Sequence, residues 1–139
     1  MAPHYLDTNV LIAIIEAVAP LTRAQTDFIA RIDSGETIAV ASELALSECL
    51  VKPIADGNEA AIQAYMALFG SGRTLAVMTV SRDILIEAAS LRAVSRMKLA
   101  DAIHVATALA AGCSIFITDD SGIRPVSGLN KQSWRAMNR

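Results

Sequence analysis

Short apolar runs without polar interruption recur along this chain, each followed by a longer stretch whose apolar residues fall three and four apart. The runs are His4 to Asp7, Thr37 to Ala41, Leu75 to Val80 and Cys113 to Thr118, with a weaker one at Val126 to Leu129. A strand that is apolar on both faces must be covered on both faces, and this is the signature of parallel sheets wrapped by helices. The intervening stretches supply those helices. Val10, Leu11, Ile14, Ile15 and Val18 form one apolar face, which Pro20 ends. Phe28, Ile29 and Ile32 mark a second helix, Thr22 to Asp33, closed at Ser34-Gly35. Ser42 caps a third, which carries Leu44, Leu46, Cys49, Leu50 and Val51 and is expected to stop at Pro53. Ile62, Tyr65, Met66, Leu68 and Phe69 lie on a fourth, with Tyr65, Met66 and Phe69 as core or a dimer surface. A helix capped by Ser81 and another from Leu99 to Ala111 complete the set. The expected fold is α/β, a three-layer sandwich around a parallel sheet, in one domain over residues 1–130 with a polar tail, Lys131 to Arg139.

Composition narrows the function classes. A chain of 139 residues buries roughly 68–70% of its unfolded surface and needs no disulfide to do so. With 53% hydrophobic but only 4% aromatic residues, the core must be aliphatic. The formal charge of −2 argues against attachment to nucleic acid by overall charge, although a local basic patch stays possible. The run Val10 to Ile15 falls far short of the ~20 residues that span a bilayer, and no secretory signal is visible. Cys49 and Cys113 show no paired spacing and read as reduced core residues, which suits a cytoplasmic protein. Their apolar surroundings disfavour a catalytic pairing with His4 or His104.

Five acids deserve a joint reading. In an open parallel sheet, functional groups gather at the carboxyl ends of the strands. Asp7 ends the first strand, and Asp119 and Asp120 follow the fourth. Glu48 sits two turns into the helix after the second strand, and Asp101 opens the helix that leads into the fourth. All therefore fall on one rim. Each has a plainer reading: Asp7 as a helix cap, Asp101 as an acid favoured by the helix dipole, Asp119-Asp120-Ser121-Gly122 as a turn. Together, however, they repel one another unless a cation is present. An oxygen-only donor set suits Mg²⁺ or Mn²⁺ rather than zinc, and such an ion lowers the pKa of a water that can attack a phosphodiester.

These residues carry a resemblance. Tyr5-Leu6-Asp7-Thr8-Asn9-Val10-Leu11, Ser42-Glu43-Leu44-Ala45-Leu46-Ser47-Glu48, Leu99-Ala100-Asp101-Ala102-Ile103-His104-Val105-Ala106-Thr107-Ala108 and Phe116-Ile117-Thr118-Asp119-Asp120 follow in order from about His4 to Asn130. In that order and spacing the chain resembles a PIN domain, and closely the VapC-type toxins of bacterial toxin–antitoxin pairs. The resemblance implies strand order 3-2-1-4-5, Mg²⁺- or Mn²⁺-dependent endoribonuclease activity, a homodimer, an RNA substrate and inhibition by a small antitoxin. It implies Asp7 and Asp101 as direct metal ligands, with Glu48 and Asp120 as the other catalytic acids. Thr8, Asn9, Thr118 and Asp119 would orient the carboxylates and their waters.

Further candidates have two readings each. His104, one turn after Asp101, is a possible base or phosphate contact but is read first as a residue packed beneath the site. Arg92, Arg96 and Lys98 are either phosphate contacts or a solvated face, whereas Lys131, Trp134 and Arg135 either add RNA contact or belong to a floppy polar tail. Two other function classes compete with a nuclease. A non-catalytic module that binds RNA or protein has no physical reason to keep a full set of mutually repelling acids. A phosphatase that forms an aspartyl-phosphate needs a second Asp two residues after Asp7, where the chain has Asn9.

Overall fold

The computed structural model describes residues 2–17 and 19–138; Val18, expected on the first helix's apolar face, and Arg139 lie outside the described residues. The chain alternates β1 (His4–Leu6), α1 (Thr8–Glu16), α2 (Arg23–Asp33), β2 (Ala39–Ser42), α3 (Glu43–Asp56), α4 (Glu59–Gly70), β3 (Leu75–Met78), α5 (Arg82–Ser95), α6 (Leu99–Ala110), β4 (Ile115–Ile117) and β5 (Asn130–Gln132). The strands form one sheet in the order β3-β2-β1-β4-β5, and every neighbouring pair is parallel. Tyr5 pairs with Val40 on one side and Phe116 on the other, so β1 is the centre.

Side chains alternate across a strand, and here the alternation sorts the core into two layers. Tyr5, Val40 and Phe116 face α5 and α6, where they meet Ala88, Ala102, Val105 and Ala106. Their sequence neighbours Leu6, Ala39, Ala41 and Ile117 face the other way, against Val10 and Leu11 of α1, Phe28 and Ile32 of α2, Cys49 of α3 and Tyr65 of α4. The helix starts follow local chemistry. Thr22 and Gln25 form a reciprocal capping box on α2, and the hydroxyls of Ser42 and Ser81 accept from the backbone at the starts of α3 and α5. No described helix is long and apolar enough to cross a membrane.

The structure departs from the sequence reading in three places. Pro53 does not stop α3, which continues to Asp56 and ends at Gly57 with φ +65°. Proline's fixed φ is helical, so one missing N–H near the end is tolerated, and left-handed Gly57 is the real terminator. The fifth strand lies at Asn130–Gln132, whereas Val126 and Leu129 form only an isolated antiparallel bridge. An edge strand can be polar, so apolar patterning points past it. Finally, the segment expected to be a polar tail packs down. Trp134 is 3% exposed, stands edge-on to Phe28 at 6.2 Å, and its carbonyl accepts from Gln25 Nε2 at 3.0 Å.

Candidate active site

The strand order reverses between β1 and β4: the chain leaves β1 toward β2 and comes back on its other side at β4. Side chains beyond the carboxyl ends of these strands therefore face a crevice. Asp7 stands at that point, 4% exposed. It caps α1 itself, since Oδ1 accepts from the Thr8 amide at 2.9 Å. Its other oxygen, Oδ2, accepts from the Thr118 hydroxyl at 2.7 Å and more weakly from Asn9 Nδ2 at 3.4 Å. Thr118 in turn accepts from the Asp120 amide at 2.9 Å. Capping and site geometry are thus the same contacts, and a fully held carboxylate results.

Glu48 reaches the same crevice from α3. Its Oε1 accepts from the Thr8 hydroxyl at 2.7 Å and lies 2.6 Å from His104 Nε2. His104 Nε2 is also 3.9 Å from Asp7 Oδ1. Partial burial alone would raise the Glu48 carboxyl; the bonds from His104 and Thr8 outweigh it and hold it below the usual range. Asp101 sits in the first turn of α6 and behaves oppositely. Burial, then the negative charges of Asp120 and Asp7, raise its carboxyl above the ordinary value, against weaker help from His104 and Lys98.

The two consecutive acids after β4 divide. Asp120 turns toward Asp101: its Oδ1 accepts from the Gly122 amide at 2.8 Å. A Cβ on Gly122 would stand 2.9 Å from Asp101 Oδ2 and 3.1 Å from Asp120 Oδ1. Asp119 turns away. Its Oδ1 accepts from the Ser133 hydroxyl at 2.6 Å and the Arg135 amide at 3.3 Å, and the Arg135 guanidinium lies 3.5 Å from Oδ2. Its backbone amide donates to Asn9 Oδ1, which ties β4's exit to α1.

Asp7, Glu48, Asp101 and Asp120 are thus brought together by four segments far apart in sequence, while the Asp119 side chain is engaged elsewhere. The donor set is oxygen only, and the glycine leaves open the space that a side chain at 122 would fill, so these residues fit a hard divalent cation. Among the described residues, no group of three or more His, Cys, Asp and Glu side chains stands close enough together to hold a metal ion by itself. Mg²⁺ keeps several waters and takes one or two direct carboxylates, so an open arrangement suits it.

Of the remaining candidates, Lys98 acts on Asp101 through its charge, while Arg92, Arg96, Lys131 and the cysteines serve the fold. Arg92 Nε donates to the Met97 carbonyl at 3.1 Å and closes the connection between α5 and α6, while Arg96 takes a left-handed φ of +59° as the cap of α5. Lys131 Nζ donates to the Ile123 carbonyl. Both cysteines are buried, and burial pushes Cys49 up to about 12 and Cys113 to about 11, which leaves no thiolate nucleophile at neutral pH. Sequence reasoning passed over Tyr5 and Gly122. Tyr5 stands two residues before Asp7, the strand spacing for a shared face, and its hydroxyl lies 2.6 Å from His104 Nδ1. Burial and the Asp7 charge hold that hydroxyl well above its ordinary pKa, so it remains O–H.

Comparisons with known proteins agree with this architecture. One family profile, described as PIN domain, matches residues 4–129. Among solved structures, the chain is similar to VapBC2 from Rickettsia felis bound to a promoter DNA fragment, at 15% identity and TM-score 0.73, covering 94% of this chain and 98% of that one. A toxin–antitoxin complex from Klebsiella pneumoniae is similar at 23% identity and TM-score 0.66, covering 91% and 94%. The sarcin-ricin loop cleaving toxin VapC20 of Mycobacterium tuberculosis is similar at 17% identity and TM-score 0.61, covering 85% and 90%. A comparison with curated proteins found no match.

Proposed function

The chain belongs to the PIN domain family, and from that premise we propose that it is a divalent-metal-dependent endoribonuclease acting as the toxin of a toxin–antitoxin pair. The observation that carries this reading is the convergence of Asp7, Glu48, Asp101 and Asp120 at the point where the strand order reverses. The raised carboxyl of Asp101 supports it: burial raises it first, and the charges of Asp120 and Asp7 add to that, so a cation is welcome there. Asp7 and Asp101 would hold Mg²⁺ or Mn²⁺, with Glu48 and Asp120 taking up its waters. The cation supplies charge neutralisation at the phosphodiester and a water of lowered pKa. Glu48, held ionised by Thr8 and His104, stands ready to accept the attacking water's proton. Thr118 and the Thr8 amide keep both oxygens of Asp7 in place while charge redistributes.

Partners follow from the same reading. RNA is the substrate in this reading, in keeping with the similar VapC20 toxin, which cleaves the sarcin-ricin loop. A small antitoxin and a homodimer are supported by apolar side chains left at the surface. Val51 and Ile54 on α3 are 67% and 61% exposed, and Ile86 and Val94 on α5 are 60% and 86% exposed.

The test is direct. Asp7→Asn and Asp101→Asn should each lower RNA cleavage by at least roughly 100-fold while circular dichroism shows a folded chain. Cleavage retained in a clean Asp7→Asn preparation would sink the metal-pocket mechanism. Calorimetry with Mn²⁺ adds a reading that needs no substrate: wild-type protein that binds none favours a module that docks without cutting.

A further inference from the structure

Tyr5 and His104 are 0% and 1% exposed, and the hydrolytic reading gives neither a step of its own. Yet they form an unbroken line of hydrogen bonds that ends on Glu48. The line starts at the end of β2, where the Ser42 amide donates to Tyr5 Oη at 3.1 Å. Tyr5 Oη lies 2.6 Å from His104 Nδ1, and His104 Nε2 lies 2.6 Å from Glu48 Oε1. Counting donors gives the line a direction. The phenol accepts from Ser42 and has one hydrogen left, which Nδ1 accepts; the imidazole then carries its proton on Nε2 and donates it to Glu48.

We propose that Tyr5 and His104 are positioning residues that hold the Glu48 carboxylate in one orientation beside Asp7. This rests on the reading of Glu48 as a site acid. Glu48 lies mid-helix on α3 with its side chain 34% exposed, and a glutamate in that setting ordinarily turns freely into water. Here two donors, Thr8 Oγ1 and His104 Nε2, converge on Oε1, and among the described residues none donates to Oε2. One oxygen is gripped, and the other is left to act.

The grip is stiff because its base is stiff. Tyr5 is stacked on Phe116 at 4.7 Å and 18° in the centre of the sheet. His104, 1% exposed, packs edge-on to Tyr5 at 5.8 Å and 65° and is bonded at both ring nitrogens. An apolar pair would fill the same space without the desolvation of a hydroxyl and a ring. The polar pair therefore has its reason in what it bonds.

Two measurements test the proposal. The chain has only two histidines, so ¹⁵N-histidine NMR at neutral pH reads His104 directly. A proton on Nε2 is expected, and an unprotonated Nε2 facing Glu48 overturns the proposal. In the second measurement, Mn²⁺ affinity is followed by calorimetry in Tyr5→Phe, His104→Leu, His104→Gln and Glu48→Gln. Tyr5→Phe and His104→Leu should each weaken binding ~10-fold, and His104→Gln should recover most of the loss, because its amide keeps an N–H near the place of Nε2. In the Glu48→Gln background, Tyr5→Phe should add nothing. An undiminished effect in that background, or no effect of Tyr5→Phe alone, overturns the proposal. Tyr5→Phe keeps the stack on Phe116, so the test survives if His104→Leu fails to fold. Should wild-type protein bind no Mn²⁺, the metal reading fails, and the His104 proton still decides the line of bonds.

Discussion

Gly122 shows how little room one residue can leave. Its φ is ordinary, so its value lies in the missing side chain rather than in backbone freedom. Gly122→Ala would press a methyl against Asp101 and Asp120, and small misplacements at a reacting centre cost up to about 100-fold. Cleavage and Mn²⁺ affinity should both fall while thermal stability changes little; an unaltered Mn²⁺ titration would refute the fit. Asp101 makes a second prediction at this scale. Its folded carboxyl is raised above the ordinary 3.8, so its contribution is fully present at low pH and is lost as the pH rises through the folded value. Metal-free Asp101→Asn should therefore melt above wild type at neutral pH. That advantage should vanish as the pH drops to about 4 and shrink on adding Mg²⁺. Melting curves across pH, with and without Mg²⁺, decide it.

At the scale of elements, Asp119 and Asp120 are neighbours with separate work. Asp119 fastens the segment after β5 through Ser133 and Arg135. The Arg135 guanidinium is 81% exposed and adds little, so the hydroxyl and amide bonds matter. Asp119→Ala should destabilise by about 1–3 kcal/mol in urea denaturation. Asp120→Asn should leave that midpoint nearly unchanged and lose cleavage instead. The reverse pattern would exchange the two assignments. Pro53 and Gly57 teach a similar lesson for α3: a proline near the end of a helix need not end it when a left-handed glycine follows.

For the molecule as a whole, the sheet is sealed on both faces, and the C-terminal segment closes one of them. Trp134 fills the space between α2 and the edge of the sheet, beside Phe28. Trp134→Ala should cost about 3–5 kcal/mol, as large-to-small changes in a core do. Chemical denaturation followed by far-ultraviolet dichroism measures it. A loss under about 1 kcal/mol would place the segment outside the cooperative core. The same closure brings Ser133 to Asp119, so the last strand and the acid rim share a support.

Much of this was legible in the residues alone. Continuous apolar runs between amphipathic stretches are local patterns, and they dictate parallel strands under helices because buried backbone and apolar surface leave few other arrangements. The placement of the acids was legible too: Asp7, Asp101, Asp119 and Asp120 sit beside a strand end or a helix start, and Glu48 follows the start of α3 by less than two turns. What only the tertiary structure decided depends on packing between distant segments. Asp119 and Asp120 lie in an irregular turn, where no periodicity says which carboxylate points to the crevice. The polar edge strand Asn130–Gln132 has no apolar signature to read. Tyr5 meets His104 across 99 positions, a hydrogen bond that exists because the sheet and α6 close on each other. Patterns along a chain encode what a residue prefers nearby; a direction in space is encoded only by everything packed around it.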